Sequence, residues 1–183
     1  MDKRILLLTG KPGIGKTTTL LKIVDLLKEK GYTVGGMISR EVRSGGSRIG
    51  FEILDLGTGR RGWLAHINQK SGPQVGKYHV NLEDLEGIGV AAISNAIKSS
   101  HVIIVDEVGP MELFSEKFKQ TVGMAVESKK LLVAVVHWRA REKLIDEVKG
   151  RRDAEIFEVT YANRDRLHEA VAEKAIKFLE SRS

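Results

Sequence analysis

Residues Gly10-Lys11-Pro12-Gly13-Ile14-Gly15-Lys16-Thr17 run Gly, four residues, Gly, Lys, Thr, and Thr18 follows. The pattern comes directly after the apolar run Ile5-Leu6-Leu7-Leu8, and before Leu20, Ile23, Val24 and Leu27 at helical spacing. Strand, phosphate-binding loop and helix are expected in that order. Glycines accept positive φ, so several backbone N–H groups can converge on one anion at the positive end of the following helix. Lys16 is expected to reach the β and γ phosphates and the Thr17 hydroxyl to ligate Mg²⁺. The expected ligand is a nucleoside triphosphate with its Mg²⁺.

A second element is the apolar run Val102-Ile103-Ile104-Val105 ending in Asp106-Glu107. Such a run predicts a buried parallel strand with both carboxylates at its carboxyl edge, where ligands bind in open α/β sheets. Asp106 is expected at the Mg²⁺ ion, and Glu107 is expected to orient and deprotonate a water for attack on the γ-phosphate. Lys16 and Glu107 are thus the expected catalytic residues. Glu41, at the end of another apolar segment, is the reserve general base. Glu112 is expected to cap or pair near the helix after the strand, with direct positioning of metal or water as the alternative, and His137 follows the run Leu131 to Val136 as a structural histidine or a γ-phosphate sensor. Arg40, Arg43, Arg139 and Arg141 also follow strand-like runs, and solvated arginines and an arginine finger are both open readings.

The elements that must hold these residues alternate along the chain. An apolar segment from Val34 to Ser39 leads to a glycine-rich turn at Arg43 to Ser47, a segment at Gly50 to Leu56, a hairpin turn at Gly57 to Arg61 and a short strand at Trp63 to Ala65. Asn68 to Asn81 reads as a long loop, with Tyr78 as anchor or Lys77 and Tyr78 as parts of a lid. Helices are expected from Asn81 to about Lys98, after a Ser115 cap, near Glu142 to Val148, and after a strand at Ile156 to Thr160, with Asn163 as cap of the last or, as the alternative, a base contact. Strands separated by helices imply parallel crossovers. The expected fold is α/β, a three-layer sandwich with a mainly parallel sheet and an antiparallel hairpin insertion, in a single domain over 1–183.

Composition narrows the class. The chain has 183 residues, no cysteine and a net charge of +6. Disulfides and thiolate chemistry are excluded, and histidines 66, 79, 101, 137 and 168 lack metal-ligand spacing. No apolar stretch is long enough to span a membrane, and the N-terminus does not resemble a signal peptide, so a cytoplasmic location is expected. Basic residues are dispersed and aromatics few, so nucleic acid is a disfavoured partner; the oligomeric state is left open.

Several segments carry a family resemblance: GKPGIGKTT, Glu41-Val42-Arg43 leading to Gly50-Phe51, Val75-Gly76-Lys77-Tyr78 with Val80-Asn81, Asp106-Glu107-Val108-Gly109-Pro110-Met111-Glu112-Leu113, and Asn163-Arg164-Asp165. Over nearly the whole chain the sequence resembles the thermophilic nucleoside-triphosphatases, also called cancer-related nucleoside-triphosphatases. The resemblance implies a RecA-like P-loop fold and hydrolysis of several nucleoside triphosphates with little base selectivity. It also implies nucleotide contacts from Gly10 to Thr17 and around Val102, Ile103, Ile104, Val105, Asp106, Glu107, Val108 and Gly109. No Asn-Lys-x-Asp guanine motif is present. The competing readings are a nucleotide or small-molecule kinase with Lys149-Gly150-Arg151-Arg152-Asp153 as its lid, and a nucleic-acid-stimulated module.

Overall fold

The computed structural model describes residues 2–182; Met1 and Ser183, the ends of the expected domain, lie outside the described residues. Alternation within the apolar runs builds three layers. In β1 (Ile5–Thr9), Ile5 and Leu7 point to one side of the sheet and Leu6 and Leu8 to the other, and all four are fully buried. The Leu6 and Leu8 face is covered by α1 (Lys16–Glu29) and α6 (Leu167–Glu180). Packed on the opposite face are α3 (Ala91–Ser99), α4 (Glu116–Glu127) and α5 (Lys143–Lys149).

The sheet runs β5-β6-β4-β3-β2-β7-β8-β1-β9. Its parallel half comprises β2 (Val34–Ser44), β7 (Val102–Val108), β8 (Leu131–Val136), β1 and β9 (Ala154–Glu158). Numbering the parallel strands one to five along the chain, the order is 2-3-4-1-5, so β7 with its two carboxylates lies one strand away from β1 and its loop. The other half is antiparallel: β3 (Ser47–Asp55), β4 (Arg61–His66), β6 (Tyr78–Val80) and β5 (Gln74–Val75). One solvated face of this half carries Glu52 between Arg40 at 2.9 Å and Arg61 at 3.1 Å, an opposite-charge row across three strands.

Three local expectations need correction. The stretch Asn68 to Asn81 is not a plain loop, because β5 and β6 form a small hairpin on the sheet edge. Buried Tyr78 fixes it: its hydroxyl accepts from Arg48 Nε at 2.8 Å and its ring meets Phe51 edge-on. The helical stretch after Asn81 is broken into α2 (Leu82–Asp84), a π-helical turn (Leu85–Val90) and α3, although Asn81 caps it as expected by accepting from Asp84 N. Asn163 does not cap α6. Its Oδ1 accepts from Thr160 N and its Nδ2 donates to Glu158 O, both at 2.8 Å, so it closes the turn after β9 instead. Ser115 caps α4 as expected, accepting from Phe118 N at 3.1 Å. Among the described residues, no helix is long and apolar enough to cross a membrane.

Candidate active site

The loop after β1 turns through Gly13 at φ 75° and Gly15 at φ 112°, conformations open to glycine but strained for other residues. Helix α1 then starts at Lys16, so the first backbone N–H groups of a 14-residue helix face the loop. Lys16 Nζ donates to Gly10 O at 2.7 Å and Lys11 O at 3.0 Å, which folds the ammonium back over the same loop. Burial pulls its pKa down, while the charges of Glu107 and Asp106 act the other way. Thr17 Oγ1 donates to Asp106 Oδ2 at 2.7 Å and so joins the helix start to the end of β7. Thr18 is exposed beside it.

Strand β7 presents its two carboxylates differently because its regular alternation breaks between them. Val102 and Ile104 pack toward α1 and α6, Ile103 and Val105 toward the other helices, and Asp106 continues the first set to meet Thr17. Asp106 pairs with Val135 of β8, yet Val108 pairs with the very next residue, Val136. Glu107 is therefore the extra residue of a bulge, and Val108 falls on the opposite face from the one that strict alternation would give it. The Asp106–Glu107 peptide is cis. Glu107 bends back over Gly109, where a Cβ would lie 2.6 Å from Glu107 Oε1. Only a residue without a side chain leaves that space to the carboxylate.

Three buried acids lie close enough together here to feel one another's charge. Burial raises the Asp106 pKa to about 7; the Thr17 hydrogen bond opposes this, and the charge of Glu107 adds to it. Burial also pushes Glu107 up, against the pull of Lys16. Glu112 is not a helix cap on the surface. It opens a one-turn 3₁₀ helix (Glu112–Phe114), is only 2% exposed, and is raised well above the usual carboxylate range by burial, with the charges of Glu107 and Asp106 adding. Nothing in the sequence separates this buried glutamate from an ordinary helix-start residue.

His137 ends β8, between the strands that carry Glu107 and the loop. Its Nδ1 accepts from Arg139 N and Ala140 N, which leaves Nε2 to carry the ring proton, and burial with the nearby Lys16 charge lowers its pKa. The remaining candidates fall elsewhere. Glu41 lies on β2 beyond its pairing with β7, where the strand pairs with β3, and it is bound to Arg43 at 2.9 Å and Arg48 at 3.3 Å; the Arg43 hydrogen bond, with Arg48 adding, holds it below the usual carboxylate range. Arg40 is engaged by Glu52. Arg139 lies over the Trp138 ring at 4.0 Å, and Arg139 and Arg141 are exposed on the loop after β8. The side chains of Val102, Ile103, Ile104, Val105 and Val108 are buried in the two cores, where they hold the strand that carries the carboxylates in place.

The segment Lys149 to Asp153 does not form a lid. It precedes β9 at the amino edge of the sheet, where Arg151 pairs with Glu127 at 2.6 Å and Asp153 at 2.9 Å, at the opposite edge from the loop. A cavity of about 670 Å³ lined by Val34 to Gly36, Asp55 to Thr58 and Ser99 to Ser100 also opens at that amino edge, away from this chemistry.

The chain has relatives that share this arrangement's sequence and fold. A family model described as NTPase matches residues 5–172. The chain is 46% identical over 170 residues to a protein named nucleoside-triphosphatase THEP1 from Thermofilum pendens, a match covering 91% of this chain and 92% of the relative. A protein of the same name from Methanopyrus kandleri is 46% identical over 176 residues, 96% of this chain and 97% of that one. The crystal structure of THEP1 from Aquifex aeolicus superposes with a TM-score of 0.80 at 30% identity, covering 91% of this chain and 96% of that chain. A solution structure of a human cancer-related nucleoside triphosphatase gives 0.79 at 34% identity, covering 93% and 96%. The chain belongs to the NTPase family that includes the THEP1 nucleoside-triphosphatases.

Proposed function

We propose that the chain hydrolyses ATP, GTP, CTP and UTP to the diphosphate and phosphate in a Mg²⁺-dependent reaction of low base selectivity, as one catalytic domain acting in the cytoplasm. The observation that carries this reading is the meeting of Lys16, the Thr17–Asp106 hydrogen bond and the bulged Glu107 at one edge of the sheet. Within Gly10 to Thr18, the loop glycines and the first turn of α1 supply backbone N–H groups for the phosphates, and Lys16 the cation set against the β and γ oxygens. A hydroxyl and a carboxylate oxygen 2.7 Å apart are hard donors that suit Mg²⁺, so Thr17 and Asp106 would hold it. An Mg²⁺ ion held there would offset negative charge on the phosphates. Glu107, free of any arginine and re-aimed by its bulge, holds the proton taken from the attacking water; Glu41 is tied to two arginines and poorly suited to that task. Recognition by the loop and the metal site rests on the phosphates, which every nucleoside triphosphate shares.

Phosphate release from each of the four triphosphates, with and without Mg²⁺ and with no acceptor present, tests the reading. Comparable specificity constants and dependence on Mg²⁺ are expected. Phosphate transfer that requires an acceptor, or a preference of about 10⁴-fold for one base, would overturn it.

A further inference from the structure

Tyr161 is 77% exposed, the most exposed of the large apolar and aromatic side chains in the described residues. It projects from a turn that is built, not loose. Thr160 N donates to Asn163 Oδ1, Asn163 Nδ2 donates to Glu158 O, and Arg164 N donates to Thr160 O at 3.0 Å. The turn is also fastened to the phosphate loop. Val159 N donates to Thr9 O at 2.8 Å, and a Cβ on Gly10 would stand 2.7 Å from Val159 O. Arg164 reaches Ile14 O with Nη1 at 3.5 Å and places its guanidinium 5.0 Å from the Tyr161 ring centre.

The sheet order says what this turn faces. Lys16, Thr17, Asp106 and Glu107 mark the γ end of a bound triphosphate, toward β7 on one side of β1. On the other side of β1 lies β9, whose exit carries Tyr161. A triphosphate wrapped by the loop with its γ end toward β7 leaves its nucleoside on the β9 side, over this turn. We propose that Tyr161, backed by Arg164, is the stacking platform for the nucleobase, and that recognition by a π face in place of hydrogen bonds is what makes base selectivity low. This inference rests on the triphosphatase reading and names the residue that sets its specificity. Every base has a π face, and stacking on an aromatic ring discriminates little among them. The cation behind the ring strengthens the surface without reading the base edge, and the fixed turn keeps the ordering cost small.

Initial-rate kinetics of Tyr161→Ala and Tyr161→Trp with ATP, GTP, CTP and UTP, with Mg²⁺-tripolyphosphate as a competitive inhibitor lacking any base, test the platform. Tyr161→Ala should raise KM for all four substrates by about 5- to 100-fold with kcat nearly unchanged. The inhibition constant of tripolyphosphate should stay the same, and Tyr161→Trp should restore KM. An unchanged KM in Tyr161→Ala would overturn the proposal. So would a tripolyphosphate constant that rises in step with KM, since the residue would then serve the phosphates. If the wild-type protein releases no phosphate from any of the four, the triphosphatase reading itself falls, and the platform falls with it.

Discussion

Glu107 owes its placement to one extra residue in β7. Without the bulge, the strand would carry its carboxylate on the ordinary alternation; with it, Glu107 sits over Gly109, mostly buried, with Lys16 as the nearby cation. Replacing Glu107 by Gln keeps shape and much of the hydrogen bonding but removes the base, so kcat should fall by about 100-fold or more with nucleotide affinity little changed. Asp106→Asn acts on the Thr17–Asp106 pair instead, so the Mg²⁺ concentration for half-maximal rate should rise along with the loss in rate. Parallel titrations of nucleotide and Mg²⁺ separate the two roles. Wild-type turnover in Glu107→Gln together with an inactive Glu41→Gln would move the base to the end of β2. Lys16→Ala removes the loop cation that lies beside Glu107 and Asp106, and both binding and turnover should collapse in a protein that still folds. Equilibrium binding beside a melting curve checks that.

At the scale of elements, the parallel strands and their helices were legible because each is a buried apolar run or an amphipathic repeat, and two of the helical stretches begin at a side-chain cap, Asn81 and Ser115. The site was legible to the extent that it is local: the phosphate loop is one contiguous pattern, and Asp106 and Glu107 end an apolar run. What escaped depends on contacts distant in sequence. Two- and three-residue strands such as β5 and β6 show no periodicity, and Tyr78 holds them by reaching Arg48, 30 residues away. The burial of Glu112 and the closeness of Arg164 to the phosphate loop likewise arise only when the sheet is assembled. Close strand approach is another such feature. Gly36 of β2 has φ 117°, and a Cβ there would lie 2.0 Å from Ile104 O of β7. Gly36→Ala must force β2 away from β7 or strain its own backbone, and a loss of more than about 4 kcal/mol is expected. For a chain of this size that corresponds to a melting temperature lower by roughly 10 °C or more. A near-native melting curve would mean that the two strands can separate at little cost.

For the whole molecule, the two edges of the sheet have different tasks: the carboxyl edge carries the chemistry, and the amino edge fastens the layers together. Arg4, before β1, donates to Val126 O on α4 at 2.6 Å and to Lys130 O before β8 at 3.3 Å, and pairs with Asp153 before β9 at 2.8 Å. Arg151 links Asp153 on to Glu127 of α4. The Arg4 and Asp153 side chains are only 7% and 14% exposed, so removing the acid leaves a cation with little water to replace it. Asp153→Ala should therefore cost about 3 kcal/mol, near the lower end for a broken buried pair because two carbonyls still solvate Arg4. The sign of the pH dependence follows from the Arg151 hydrogen bond, which, with the Arg4 charge adding, holds the Asp153 pKa below its ordinary 3.8. A depressed acid contributes its full share of stability above the unfolded-state pKa of about 3.9, and that share is lost as pH falls through the lower folded value. The difference in melting temperature between wild type and Asp153→Ala should stay constant from about pH 5 to 7 and shrink toward pH 3. Thermal melts of both proteins across that range measure it. A gap that persists undiminished at pH 3 would assign the loss to packing of the side chain and not to its charge.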